Sequence, residues 1–192
     1  MAMGEYERLV NAYRKGDEAA LERLVRSLRR PLYGFIYHMT EGRDDADDIF
    51  QETWRRAIAR LSHFRAGNFR AWLFRIAHNL VIDRARQNRL LTRPDEDSPD
   101  QLALLADKNP TPDQQAVISE TARRIAEAVS GLPPGQREVF VLRTKGNLSF
   151  REIAAIQGTS INTALGRMRY AIQRLRRELL DLRPDTGEDG GS

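Results

Sequence analysis

An all-α protein of two small helical domains joined by an extended acidic linker is what this 192-residue sequence predicts. Three observations carry the prediction. Apolar residues recur at three or four along most of the chain, and no strand-like alternation competes with them. Proline and acidic residues gather once, in the middle, and break that pattern. A capped short helix, a glycine turn and an amphipathic, arginine-bearing stretch then follow one another near the end.

The first domain spans residues 1–93. Leu9, Tyr13, Leu21, Leu24, Val25, Leu28, Leu32, Phe35 and Ile36 hold the helical spacing. From Arg43 the chain reads RDDADDIFQETWRRAIARL, with Asp44, Asp45, Asp47, Asp48 and Glu52 early and Arg55, Arg56 and Arg60 late. Acids first and bases last suit the helix dipole. So many acids in one turn also repel one another, which points to a basic partner surface.

Next comes SHFRAGNFRAWLFRIAHNLVIDRARQNR, in which Phe64, Phe69, Trp72 and Phe74 interleave with Arg65, Arg70 and Arg75. Single-stranded nucleic acid asks for that mixture, because every base offers a face to stack and every nucleotide a phosphate. On a helical wheel Phe69, Trp72, Leu73, Ile76 and Leu80 share a core-facing side. Phe64, Arg65, Asn68, Phe74, Arg75, His78 and Asn79 remain as candidate contacts.

The linker, 94–112, carries Pro94, Pro99, Pro110 and Pro112 among Asp95, Glu96, Asp97, Asp100 and Asp107, with room for one helical turn at Leu102 to Ala106. Self-repulsion and proline keep such a segment extended. The second domain, 113–183, resumes helical spacing at Ile118, Ile125 and Val129 until Gly131-Leu132-Pro133-Pro134-Gly135 stops it. Residues 184–192 contain no apolar side chain and are expected to be disordered.

Within the second domain Ser149 and Glu152 form a capping-box pair, so a helix should start at Phe150. Gly158-Thr159-Ser160 ends it after two turns, and Ser160 can cap the next helix. That is the form of a helix-turn-helix. Its second helix places Ile161, Ala164, Leu165, Met168, Ile172, Leu175 and Leu179 on one arc. Asn162, Thr163, Gly166, Arg167, Tyr170 and Arg174 lie opposite, a polar face able to meet base edges and phosphates together with Ser160. Arg176, Arg177 and Arg183 extend the positive field.

Composition narrows the functional classes. Zero cysteine removes disulfides, thiolate-ligated zinc and a thiol nucleophile. Lys+Arg 31 against Asp+Glu 27 gives only +4, but nearly all the bases are arginine and the two signs are segregated, so local fields exceed the net charge. The N-terminus lacks a signal-peptide pattern and no run is apolar enough to span a bilayer. A soluble, cytoplasmic protein without membrane insertion is expected. His38, His63 and His78, and the His38/Glu41 pair, are the only hints of metal or acid–base chemistry. No phosphate loop, serine elbow or zinc signature accompanies them, so neither catalysis nor a metal or cofactor is expected.

These residues together resemble sigma factors of the sigma-70 type, in particular the compact extracytoplasmic-function group with only domains 2 and 4. DADDIFQETW at 45–54 is similar to the helix that grips the polymerase clamp helices. FRAWLFRIAHNLVIDRARQNR at 69–89 is similar to the melting and upstream-reading segment. LPPGQREVFVLR at 132–143, with the LSFREIAAIQGTSINTALGRMRYAIQRLRREL that follows, is similar to domain 4.

The resemblance implies a transcription initiation factor that binds core RNA polymerase through Asp45, Asp47, Asp48, Ile49, Gln51 and Glu52. It implies capture of melted minus 10 DNA by Phe64, Arg65, Asn68, Arg75, His78 and Asn79, the last at a flipped base, with the linker in the RNA path. Minus 35 duplex is then read by Ser160, Asn162, Thr163, Gly166, Arg167, Tyr170 and Arg174, and an anti-sigma factor is an expected partner. Where the family commonly has lysine then serine before the recognition-helix arginine, this chain has Leu165-Gly166-Arg167. Either its promoter element differs or Arg167 and Arg169 take over the contact. The competing reading is a helix-turn-helix regulator with a helical sensor or dimerisation domain, which the acidic turn and aromatic-arginine stripe of the front half disfavour.

Overall fold

The computed structural model describes residues 4–40, 43–64, 67–91 and 122–180, all of them helices and short turns. The linker (with a helical turn expected at 102–106), Arg65 and the tail 184–192 lie outside the described residues. Four helices make the first unit: α1 (Glu5–Arg14), α2 (Glu18–Met39), α3 (Arg43–Arg60) and α4 (Phe69–Leu91), with a 3-10 turn at Leu61–His63. The second unit has α5 (122–130), α6 (Pro134–Thr144), α7 (Phe150–Gln157) and α8 (Ile161–Leu180).

Helix α2 is the spine of the first unit. Asp17 caps it by accepting from the Ala20 amide. Pro31 lies inside it and removes one backbone bond at a cost of about 3 kcal/mol. Leu24, Leu28, Leu32, Phe35 and Ile36 are nevertheless all fully buried on one stripe. At about 1.5–3 kcal/mol for each side chain, that burial outweighs the proline.

Helices α3 and α4 close the bundle with Ala46, Ile49, Trp54, Ala57, Leu73, Ile76 and Leu80. Thr53 is also buried, and its hydroxyl donates to the Ile49 carbonyl at 2.7 Å. Phe69, Leu73, Ile76 and Leu80 are core, as their spacing predicts, and Trp72 is half-buried.

Phe74 departs from its expectation as a nucleic-acid contact, because its ring has no exposure at all. It packs 5.5 Å from the Phe35 ring on one side. On the other side lies the second unit: a Cβ added to Gly146 would come within 3.2 Å of the Phe74 ring and 2.4 Å of the Leu142 carbonyl. A wheel drawn on α4 alone cannot see that a second domain covers its far side. The buried apolar residues of both units form one continuous cluster through this contact.

The helix-turn-helix forms as its sequence dictates. Ser149 Oγ accepts from the Glu152 amide while Glu152 Oε2 accepts from the Ser149 amide at 2.8 Å. Gly158 takes the left-handed conformation, φ 63, that ends α7. Ser160 Oγ accepts from the Thr163 amide at 3.0 Å and starts α8.

The predicted apolar arc of α8 is rotated. Ala164, Ala171 and Leu175 are its buried centre, while Ile161 and Leu165 are 41% and 44% exposed. Small alanines let α6 and α7 approach closely there, and Leu165 lies about 80° round the wheel from Leu175, at the edge of the contact.

Candidate functional surfaces

Helix α3 presents Asp47, Asp48 and Gln51 to solvent. Arg55 and Ile58, the latter 40% exposed, fall on the same arc. Ile58 was not singled out from the sequence, although seven residues beyond Gln51 it repeats the helical face. With an exposed isoleucine about three turns, roughly 15 Å, along the arc from the two carboxylates, the face is anionic at one end and apolar at the other.

The other residues expected on this face are already engaged. Asp45 is half-buried and pairs with Arg84, and its Oδ2 accepts from Asn88 at 3.2 Å, tying α3 to α4. Ile49 is 3% exposed and belongs to the core. Glu52 accepts from Arg55 at 2.6 Å and Arg56 at 2.7 Å, hydrogen bonds that pull its carboxyl down to about 2. An outward-facing acidic contact therefore narrows to Asp47 and Asp48.

The aromatic-arginine segment divides similarly. Phe64 is 8% exposed, its ring 5.4 Å from Phe69 and 5.3 Å from Trp72, and its carbonyl accepts from Arg14. It is a wall of the first unit rather than a stacking platform. Arg75 and Asn79 are exposed on α4. Asn68 caps α4 by accepting from Ala71 at 3.3 Å and donates to Glu152 of α7 at 2.6 Å. His78 is turned toward the second unit, with Nε2 2.8 Å from Oε1 of Glu138 and the two side chains only 13% and 10% exposed.

On α8, Ser160, Asn162 and Thr163 are exposed, Tyr170 is 61% exposed, and Gly166 has open space where a Cβ would stand. Arg174 donates to Glu178 at 2.9 Å. Arg167 is held inward: it donates to Gln157 Oε1 at 3.0 Å, and its guanidinium lies 3.2 Å from where a Cβ on Gly135 would be. Gln157 in turn donates to Glu138 Oε2 at 2.8 Å. Neither Gln157 nor Glu138 was legible as functional, because each partner sits on a different element.

Two histidines at the contact between the units respond oppositely to pH. Burial, then Lys145 and Arg137, push His38 down to about 4. For His78 burial acts downward, but the Glu138 carboxylate, helped by Asn79, outweighs it against Arg75, and the net direction is up.

His38 therefore contributes stability that is present above its ordinary value of 6.5 and lost as pH falls toward 4, on the order of 3 kcal/mol. His78 contributes stability present below 6.5 and lost as pH rises through its raised value. Thermal unfolding against pH should show His38→Gln flattening the acid limb between 6.5 and 4. An unchanged acid limb would remove His38 from the account.

Among the described residues no three His, Asp or Glu side chains gather as a metal-binding group, and no helix is long and apolar enough to cross a membrane.

Similarity to known proteins follows these surfaces. Residues 24–90 match the family described as Sigma-70 region 2, and residues 122–179 match Sigma-70, region 4. The ECF RNA polymerase sigma factor SigW of Bacillus subtilis is 30% identical over 184 residues, which covers 90% of this chain and 96% of SigW. This chain belongs to the ECF sigma factors.

ECF sigma factor SigE of Mycolicibacterium smegmatis is also 30% identical over 164 residues, covering 84% of this chain and 63% of SigE. The chain thus spans just under two thirds of that relative and nearly all of SigW. Among solved structures, CnrH in complex with the cytosolic domain of CnrY superposes with a TM-score of 0.61 at 27% identity, covering 92% of this chain and 97% of CnrH. RpoE in complex with the anti-sigma factor NepR from Bartonella quintana shares the fold, with a TM-score of 0.67 at 24% identity over 85% of this chain and 98% of RpoE. Region 2 in the front half leaves no place for a separate sensor domain there, so the ECF assignment displaces the simple helix-turn-helix regulator.

Proposed function

We propose that this ECF sigma factor, a transcription initiation factor, brings core RNA polymerase to promoters with a division of labour among the surfaces described above. Asp47, Asp48 and Gln51, with Ile58 further along the same arc of α3, dock on the polymerase. Ser160, Asn162, Thr163, Tyr170 and Arg174, joined by Arg167, meet the minus 35 duplex. Arg75, Asn79, His78 and Asn68 face the melted minus 10 strand. The domains are 1–93 and 113–183, with the acidic segment 94–112 assigned to the RNA path.

The observation that carries this reading is the pairing of an outward acidic face on α3 with an outward basic side of α8, where Arg169, Arg176 and Arg177 are exposed, in one chain. A factor that must bind both polymerase and DNA needs two surfaces of opposite character. An apolar groove between α6 and α8, lined by Phe140, Ile172, Leu175 and Leu179, adds a place for a helix of the polymerase flap. The factor works in the cytoplasm, uses no cofactor and leaves catalysis to the polymerase. Because the relative RpoE is solved with an anti-sigma factor, a protein of that kind is the expected regulator here as well.

Asn79 is assigned the flipped base because its exposed carboxamide offers one donor and one acceptor side, as a Watson–Crick edge requires. Extracting a base costs unstacking energy that the contacts to it must return. Asn79→Ala should therefore impair strand opening, read by permanganate reactivity of the minus 10 region, about tenfold more than it impairs holoenzyme binding to closed duplex. Equal losses in the two assays would refute the assignment.

A further inference from the structure

A chain of polar contacts runs from the recognition helix to the strand-capturing face. Arg167 of α8 donates to Gln157 of α7 at 3.0 Å, and Gln157 donates to Glu138 of α6 at 2.8 Å. Glu138 meets His78 of α4 at 2.8 Å, and the other ring nitrogen of His78 lies 3.3 Å from Asn79 Oδ1. The two DNA surfaces of this protein, on different domains, are thus joined by two intermediate side chains, Gln157 and Glu138.

The middle of the chain is nearly dry. Glu138 is 7% exposed, and its Oε1 is buried with no well-angled hydrogen-bond partner among the described residues. The imidazole of His78 is what faces that oxygen. Oε2 depends on Gln157, whose amide nitrogen also reaches the Gly135 carbonyl at 3.3 Å. A buried carboxylate compensated from two sides loses most of its stabilisation when either side leaves.

We propose that Gln157 and Glu138 form a latch that closes the helix-turn-helix domain over the minus 10 face and opens when minus 35 duplex draws Arg167 away from Gln157. In the closed form Glu138 covers His78, and Glu152 engages the carboxamide of Asn68, which is itself exposed, so His78 is withheld from a melted strand and Asn68 is already paired. Arg167 has one guanidinium and two claimants. When a phosphate or a guanine edge takes it, Gln157 loses the group that orients its carboxamide, and Glu138 loses a fixed donor on Oε2. Binding at one promoter element then favours exposure of the face for the other, and the coupling is reciprocal. The inference rests on the proposed division of DNA surfaces for its trigger, but the closure itself is independent of DNA.

The absence of cysteine makes the test direct. Cysteines introduced by Arg29→Cys on α2 and Gln173→Cys on α8, both exposed positions outside the surfaces assigned above, carry a donor and acceptor dye on the full-length chain. Glu138→Gln and Gln157→Ala are each expected to raise the ratio of open to closed molecules about tenfold in single-molecule energy transfer, the shift expected from one charge-assisted contact. Both should keep the unmodified helical circular dichroism. Glu152 is left alone because it also caps α7.

A duplex carrying only a minus 35 element, taken from a promoter this factor transcribes, should open the otherwise unsubstituted chain. It should open the Gln157→Ala chain no further, and a duplex of scrambled sequence should do neither. Identical transfer in all three proteins without DNA would overturn the latch. Opening by the substitutions but none by minus 35 duplex that binds would keep the contact and overturn its release by promoter. If the chain binds no promoter DNA in any form, the division of DNA surfaces fails, and the DNA-free arm still decides whether Gln157 and Glu138 close the interface.

Discussion

Phe74→Ala is expected to lower the stability of the folded chain by about 3–5 kcal/mol, the cost of emptying a fully enclosed aromatic site. Phe74 touches Phe35 in the first unit and borders Gly146 in the second, so the cavity opens in both at once. The loss should appear as a lower midpoint in urea with little change in secondary structure at zero denaturant. A surface aromatic that stacks on bases would behave otherwise. Its removal would cost about 1–3 kcal/mol of DNA binding and leave the urea midpoint in place. A variant with native stability and weakened affinity for single strands would return Phe74 to the DNA face.

Joint charge reversal by Asp47→Lys and Asp48→Lys is expected to weaken binding to core RNA polymerase by about 2–4 kcal/mol, or roughly 30- to 1,000-fold. Both carboxylates are exposed on α3 and leave the core untouched; Asp48 reaches Arg84 only at 3.8 Å, whereas Asp45 and Glu52 are held closely by internal partners. Lysines early in α3 oppose the helix dipole by only about 0.3–1 kcal/mol each, so folding should survive. Loss of affinity with a flatter dependence on salt marks an electrostatic contact. Competition against another sigma factor for a fixed amount of core gives the number. Undiminished competition would move the polymerase contact elsewhere on the chain.

Local signals were legible in the sequence where one element contains the whole cause. The capping box at Ser149 and Glu152, the left-handed Gly158 and the Ser160 cap are complete within a few residues, and each is present as read. The core stripes of α2 and α4 follow from helical period alone.

Reading failed where the cause lies on another element. Phe74 sits on the side of α4 that a wheel marks as exposed, and Phe35 of α2 together with the second domain buries it. Phe64 is claimed by Phe69 and Trp72 across a turn. Asp45 looks like its neighbours Asp47 and Asp48 until Arg84, thirty-nine positions on, is seen beside it. Glu138 and Gln157 carry no motif whatever, and their meeting with His78 and Arg167 is a fact of tertiary packing. Burial also corrects the arc of α8, since which edge of a broad apolar face lies deepest depends on the size of what it meets.

Run-off transcription from a genomic promoter library, with core RNA polymerase in the presence and absence of this protein, tests the central claim most directly. New transcripts are expected that start at defined sites, share two upstream elements and disappear when Asp47 and Asp48 are both reversed. A protein that binds duplex DNA but adds no transcripts, and leaves core polymerase unbound, would contradict it.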